Sequence, residues 1–307
     1  MKTALEEYVF QDFTVLTLES PTFKELEDLG SRFGFHRLEI EDCLSRRQLS
    51  KIEHYPDHLF VILRFPAMIG KEKVVVPAQL SAFLRDDYLV IVHDPRLSSL
   101  KNVIAELKGK EGKIKSPSFV LYKIIDRLID DLFPILENLM DDIEAIEDLV
   151  FDEKLVGVRE VSTLRRRVSS LRRIVYQLRR TLGDLAVELQ MRSKEDLSAY
   201  LRDLNDHVEK VWEVLEEAKE VIEIYKDTDF VLSTELTNKI LAVLTVIFTA
   251  TIPATLVASF YGMNVDLPLA DLRLPLIGEY SAFAILVGGS LTIAGVMMYF
   301  FRKIRWL

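Results

Sequence analysis

The chain has 307 residues, 49% hydrophobic and 28% charged, and its 48 acidic against 39 basic side chains give a net charge of −9. That length suggests about two domains. The acidic balance speaks against nucleic acid, which wants a basic footprint, and favours cations as partners. Cys43 is the only cysteine, which excludes an intrachain disulfide and agrees with a reducing compartment.

Met1 to Thr14 contains Glu6, Glu7 and Asp12 but no apolar h-region, so no cleaved signal peptide is expected. Short strands are expected at 14–19, 58–65, 73–76, 81–84 and 88–93 from their β-branched and aromatic content. Amphipathic helices are expected at 21–33, 36–44 and 95–107. Together these form an α/β/α domain over 1–116, closed by a polar loop at 108–116. Cys43 reads as a packed small side chain. Gly109 to Lys113 lacks the spacing of a phosphate loop, and Pro56 breaks the helix that His54 and His58 would need to hold zinc. No catalytic triad is suggested, and no enzyme is expected.

From Pro117 the pattern changes, because no proline occurs between Pro134 and Pro253. A second domain of long helices is expected over 117–238. Leu164, Val168, Leu171, Val175, Leu178, Leu182, Leu185 and Leu189 form a coiled-coil seam. A matching stripe, Ile125, Leu128, Leu132, Ile135, Leu139, Ile146 and Leu149, is interrupted at Asp142, so a hairpin turning at 152–157 is predicted. Eleven carboxylates between Asp126 and Glu153 would then face eight arginines between Arg159 and Arg180. Either these only neutralise one another in solvent, or spare carboxylates attract divalent cations. A third helix is expected from about Ser193, with Ser193 and Asp196 at capping-box spacing, running to Tyr261.

The third domain, 239–307, carries two runs free of formal charge, Ile240 to Asn264 and Tyr280 to Phe301, each longer than the roughly 20 residues that cross a bilayer. Spans are expected at 240–260 and 280–301, with an outer loop at 261–279 and a basic tail at 302–307. Lys239 precedes the first span and Arg302, Lys303 and Arg305 follow the second, whereas the connector holds Asp266, Asp271 and Glu279 against Arg273. Basic flanks stay inside, so both termini are expected in the cytosol. Stepping back from Gly262 at helical spacing gives Ser259, Thr255, Ile252, Phe248, Leu244, Leu241 and Asn238 on one face. Polar ends would admit water and an apolar waist could gate by dewetting; ordinary packing of small residues is the competing reading. Pro253 frees the carbonyl of Thr249 from its usual partner. Two spans cannot enclose an aqueous path, so conduction needs several copies around an axis.

Tyr261-Gly262-Met263-Asn264, ending the first of two C-terminal spans, resembles the hallmark of the CorA family of magnesium and cobalt channels. The likeness extends to Tyr200-Leu201-Arg202-Asp203, Asp206-His207 and Asn238, and to His36, Glu41, Asp42, Lys51, Tyr55 and the stretch His58 to Phe60. It implies a funnel-shaped homopentamer in the cytoplasmic (inner) membrane, with the first span lining the pore and the N-terminal domain sensing metal. It also implies Gly262, Met263 and Asn264 as the selectivity filter, Asp203 as a regulatory ligand between subunits, and Mg²⁺ as both cargo and regulator, with no organic cofactor. Mg²⁺ gives up water reluctantly, so neutral amide oxygens of Asn264 and carbonyls of Gly262 suit the hydrated ion. Asp86 and Asp87 are candidate partners of Asp203. Val265-Asp266-Leu267-Pro268 departs from the family's acidic loop. A zinc transporter of the same superfamily, with or without proton coupling, and a non-conducting membrane scaffold remain as alternatives.

Overall fold

The computed structural model describes residues 5–45, 47–70, 73–109, 114–151, 158–263 and 281–303. The chain divides into two units, Met1–Lys226 and Asp227–Leu307. The first holds a six-stranded sheet in the order β1-β2-β6-β5-β4-β3. Its strands are β1 (Leu5–Val9), β2 (Thr14–Glu19), β3 (Lys51–His54), β4 (Leu59–Ile69), β5 (Val74–Leu84) and β6 (Tyr88–His93). Only β2 and β6 run parallel; the other neighbours are antiparallel.

Alternation along the strands sends side chains to two cores. Leu16, Leu18, Phe60, Ile62, Phe83 and Val90 pack under helices α1 (Phe23–Phe33) and α2 (Arg37–Leu44). Val61, Leu63, Leu80, Ala82 and Ile91 face the opposite way, into a core shared with α3 (Ser99–Lys108), α4 (Pro117–Asp130), α5 (Phe133–Phe151), α6 (Val158–Arg192) and the first turns of α7 (Ser198–Tyr261). This is the expected α/β/α arrangement. Every residue of β6 is buried, as a central strand covered on both faces requires.

The structure corrects several expectations. The segments 73–76 and 81–84 belong to one strand, β5, of 11 residues. Pro77 and Gln79 disguise it, yet Pro77 sits opposite Pro66, and the Gln79 amide donates to the carbonyls of Asp42 and Cys43. The strands β1 and β3 were not expected because charge hides them. Both lie at the sheet's edges, where charged side chains are favoured because they discourage pairing with other chains. The stripe from Ile125 to Leu149 is two helices, since Pro134 in the first turn of α5 supplies no N–H for continuation. The third helix starts at Ser198, and Ser193 and Asp196 form no capping box. Ser193 Oγ accepts from Glu195 N, and Asp196 Oδ1 accepts from the N–H and hydroxyl of Ser198. The predicted hairpin turn at 152–157 lies outside the described residues.

The arginines of α6 also divide their partners. Arg167 meets Asp142 on α5, but Arg172 and Arg179 reach Glu216 and Glu209 on α7 at 2.5 Å each. Their guanidinium carbons lie 5.3 and 5.7 Å from the ring centroid of Trp212. Asp142 thus interrupts the apolar stripe for a reason: it receives both Arg167 and, at 2.8 Å, Lys73 from the β4–β5 turn. Burial would raise its carboxyl, but hydrogen bonds from Lys73 and Arg167 outweigh that and hold it below the ordinary value of 3.8. Asp142→Asn is expected to destabilise unit 1 by about 2 kcal/mol, less than for a fully buried pair because solvent reaches Asp142. Denaturant midpoints should show the loss above pH 4 or so. The difference from wild type should vanish as falling pH protonates the native carboxylate at its depressed pKa.

In the second unit, α7 continues from Asp227 to Tyr261, and α8 spans Ser281–Lys303. Both helices are long and apolar enough to cross a membrane. Their apolar side chains point outward: Ile240, Val243, Ile247, Phe260, Phe283 and Leu291 are each more than half exposed. A soluble protein's core helix would bury these residues, so lipid or further chains are their natural cover.

Candidate metal site and pore helix

Helix α4 places Tyr122, Lys123 and Asp126 within one turn, and α7 presents Tyr200, Asp203 and His207. Helical spacing of four puts Asp126 and Asp130 on one face and Asp203 and His207 on another. Ligand-capable atoms of Asp126, Asp203 and His207 all lie within 4.8 Å of one another. His207 Nδ1 is 3.5 Å from Asp130 Oδ1 and 4.0 Å from Asp126 Oδ1, and His207 Nε2 is 3.7 Å from Asp203 Oδ1. The ring of Phe133 meets the imidazole edge-on at 6.0 Å and helps set its plane.

Asp126 Oδ1 and His207 Nδ1 are buried and hydrogen-bond to nothing among the described residues. Buried polar atoms of this kind ask for a partner. Burial, and then the negative charge of Asp126, push the Asp130 carboxyl above its ordinary value. The same two causes push the Tyr122 phenol up to about 12. A dication would relieve that crowding. Two carboxylates with space for water suit a hard cation such as Mg²⁺, and the imidazole adds affinity for Co²⁺ or Ni²⁺.

The sequence reading proposed Asp203 and did not name Asp126, which the structure brings beside it. The usable signal was the pair of acidic or imidazole residues one turn apart on each of two helices. Asp86 and Asp87, proposed as partners, lie in the β5–β6 turn, where Asp87 is 62% exposed and pairs with Arg85 at 3.1 Å. Within one chain neither belongs to the cluster. The histidines at 54 and 58 have separate partners: His54 pairs with Glu188, and buried His58 with buried Glu39. Burial pushes the Cys43 thiol up to about 12, which disfavours the thiolate that would act as a nucleophile.

In unit 2, all seven residues of the predicted pore face, Asn238, Leu241, Leu244, Phe248, Ile252, Thr255 and Ser259, are exposed. A different stripe, including Ala242, Val246, Thr249, Ala250, Pro253 and Val257, is partly covered. The face singled out from sequence is therefore open in the single chain, as are Ile240, Val243, Ile247, Leu256 and Phe260 elsewhere around the helix. The Thr255 hydroxyl donates to Thr251 O at 2.9 Å, which leaves its lone pairs outward as acceptors. Gly262 still belongs to the helix end, its N–H donating to Ala258 O at 2.9 Å. Its conformation is not left-handed. A Cβ there would stand 3.3 Å from Ala258 O, so glycine answers a close approach and not an unusual φ. Met263 closes the turn onto Phe260 O and is 54% exposed. Asn264, the loop carboxylates Asp266, Asp271 and Glu279, and the tail residue Arg305 lie outside the described residues.

The cobalt/magnesium transport protein CorA of Thermotoga maritima is 25% identical over 285 residues, which cover 92% of this chain and 80% of that one. The putative metal ion transporter YfjQ of Bacillus subtilis is 28% identical over 286 residues, covering 92% and 86%. The fold matches the complete structure of the CorA magnesium transporter from Methanocaldococcus jannaschii with a TM-score of 0.77 at 20% identity, over 99% of this chain and 95% of that one. The family model described as CorA-like Mg²⁺ transporter protein matches residues 10–303, and with the N-terminal α/β unit, the 64-residue α7 and the two apolar C-terminal helices in place, this chain belongs to that family.

Proposed function

We propose that the protein is a channel for hydrated divalent cations, Mg²⁺ first and Co²⁺ or Ni²⁺ as well, assembled as a homopentamer in the cytoplasmic membrane with both termini in the cytosol. One observation carries this reading: an apolar helix whose candidate pore face is uncovered ends in Gly262 and Met263, the described part of the filter motif. The polar positions Asn238, Thr255 and Ser259 would hold water at the two ends of the path. Leu241, Leu244, Phe248 and Ile252 between them would form a waist that closes by dewetting. Two open helices in one chain support assembly, since no aqueous path can be closed by one copy. The membrane potential supplies about 2.3 kcal/mol per charge per 100 mV, doubled for a dication, so inward flux needs no coupled chemistry.

The cluster of Asp126, Asp203 and His207 is the candidate sensor. A sensor for millimolar cytosolic Mg²⁺ should bind with only about −4 kcal/mol, and a site of few carboxylates completed by water has that strength. The bound ion would neutralise crowded carboxylates and hold the closed state. Losing it would restore their repulsion and favour opening.

The test is ion flux into proteoliposomes under an imposed potential, with Mg²⁺, Co²⁺, Ni²⁺ and Zn²⁺ in turn. Uptake of Mg²⁺ without movement of protons is expected. Uptake of Zn²⁺ alone, or with protons, would favour the zinc reading, and no uptake of any ion would favour a scaffold. In the same assay Asp203→Lys should raise the internal Mg²⁺ needed for half-inhibition at least about tenfold, because a cation replaces a ligand. Unchanged inhibition would remove Asp203 from the sensor.

A further inference from the structure

Lys123 stands inside the candidate sensor with the sign of the ion it would hold. Its Nζ lies 3.1 Å from Asp126 Oδ2 and 3.3 Å from the Tyr122 hydroxyl. The ammonium is also 4.8 Å from the ring centroid of Tyr122 and 5.8 Å from that of Tyr200. Two aromatic faces and a carboxylate thus form a seat for a cation. Asp126 turns one oxygen to this internal cation. Its other oxygen, Oδ1, is buried with no hydrogen-bond partner among the described residues, as is the nearby His207 Nδ1.

We propose that Lys123 is a tethered competitor for Asp126, which must withdraw before a divalent cation can take that carboxylate in full, so that Lys123 sets the Mg²⁺ concentration at which the site fills. The inference rests on the reading of Asp126, Asp203 and His207 as the regulatory cation site. Its physical basis is charge. An ammonium hydrogen-bonded to one oxygen of a carboxylate repels a dication approaching the other oxygen, and in partly buried surroundings that repulsion is poorly screened.

Withdrawal is sterically open. A cavity of about 720 Å³ adjoins the seat, lined by Lys123, Asp126, Asp130, Tyr200 and Glu195 among others. The four-carbon stem of lysine can swing through such a space. On its wall, Glu195 Oε1 receives the Lys115 backbone N–H at 2.8 Å, which leaves Oε2 to accept the displaced ammonium. Arginine would keep the competing charge, whereas methionine would keep the apolar stem against Tyr122 and remove it.

The experiment uses the full chain in detergent, with Mg²⁺ alone as probe. It reads the Mg²⁺ concentration giving half of the maximal rise in melting temperature, beside the internal Mg²⁺ that half-inhibits flux. Lys123→Met is expected to lower both midpoints about tenfold, and Lys123→Arg to leave them within about threefold of wild type, since only the first removes the charge. Asp126→Asn should raise both. If Lys123→Met leaves the midpoints unchanged or raises them while Asp126→Asn raises them, the competition is overturned and the cation site stands. If neither Asp126→Asn nor Asp203→Asn moves the binding midpoint, the site itself is wrong and the competition falls with it. Lys123→Gln, which also lacks the charge, replaces the methionine variant should that one fail to fold.

Discussion

Proteoliposomes carrying Asn264→Ala are expected to take up Mg²⁺ at least about tenfold more slowly than wild type, because each subunit of the proposed pentamer loses an acceptor for the ion's first-shell water and a hydrogen bond of this kind contributes roughly 1 kcal/mol. A fully hydrated Mg²⁺ presents only O–H donors to its surroundings. A selective ring should therefore offer neutral oxygen acceptors at fixed spacing, which the amide of Asn264 and the carbonyl of Gly262 can do. Asn264→Asp supplies the complementary result. A ring of carboxylates would bind the ion more tightly than a ring of amides, and a site that holds too strongly slows exit. Its uptake should saturate at lower Mg²⁺ yet run at a lower maximal rate. Equal rates for wild type and Asn264→Ala would mean that the selective step lies elsewhere on the path.

Glu39→Ala is expected to destabilise unit 1 by about 3–5 kcal/mol, as removal of one member of a buried polar pair does. Glu39 is wholly buried and His58 nearly so, with Glu39 Oε1 2.7 Å from His58 Nε2. The other oxygen, Oε2, accepts from the His36 backbone N–H at 2.6 Å, closing the capping box of α2. His58 is in turn stacked on Tyr55 at 5.3 Å and flanked by Phe35 and Phe83. Alanine would leave His36 N–H and His58 Nε2 unsatisfied and open a void among those rings. A fall of roughly 10 °C in melting temperature should follow. Glu39→Gln, which retains an acceptor for the cap, should cost clearly less. Equal stability of wild type and Glu39→Ala would show that the pair contributes nothing net.

The elements that were legible share one property: their signal is local. The strands of the sheet centre and the amphipathic helices α1 and α2 show in short windows of residue type, and the leucine seam of α6 shows in its spacing. The edge strands were hidden because their sequences, Leu-Glu-Glu-Tyr-Val and Lys-Ile-Glu-His, answer to a sheet edge and not to a core. Asp142 looked like a flaw in an apolar stripe, since its partners Lys73 and Arg167 are 69 and 25 residues away in the chain. The histidine pair at 54 and 58 could be set aside from Pro56 alone, but that Glu39 is the partner of His58, 19 residues earlier, could not be read.

By itself the sequence determined the α/β beginning, the long helices, the two apolar spans and the Gly262-Met263-Asn264 end, because charge-free length and helical period are properties of consecutive residues. Only the tertiary structure joined Asp126 to Asp203 and His207 and set Lys123 against the same carboxylate. Those residues meet through the packing of α4 on α7, some 77 positions apart in the chain (203 less 126). A candidate ligand set depends on distances of a few ångströms between side chains, and such distances are fixed by how helices dock, which no local pattern encodes.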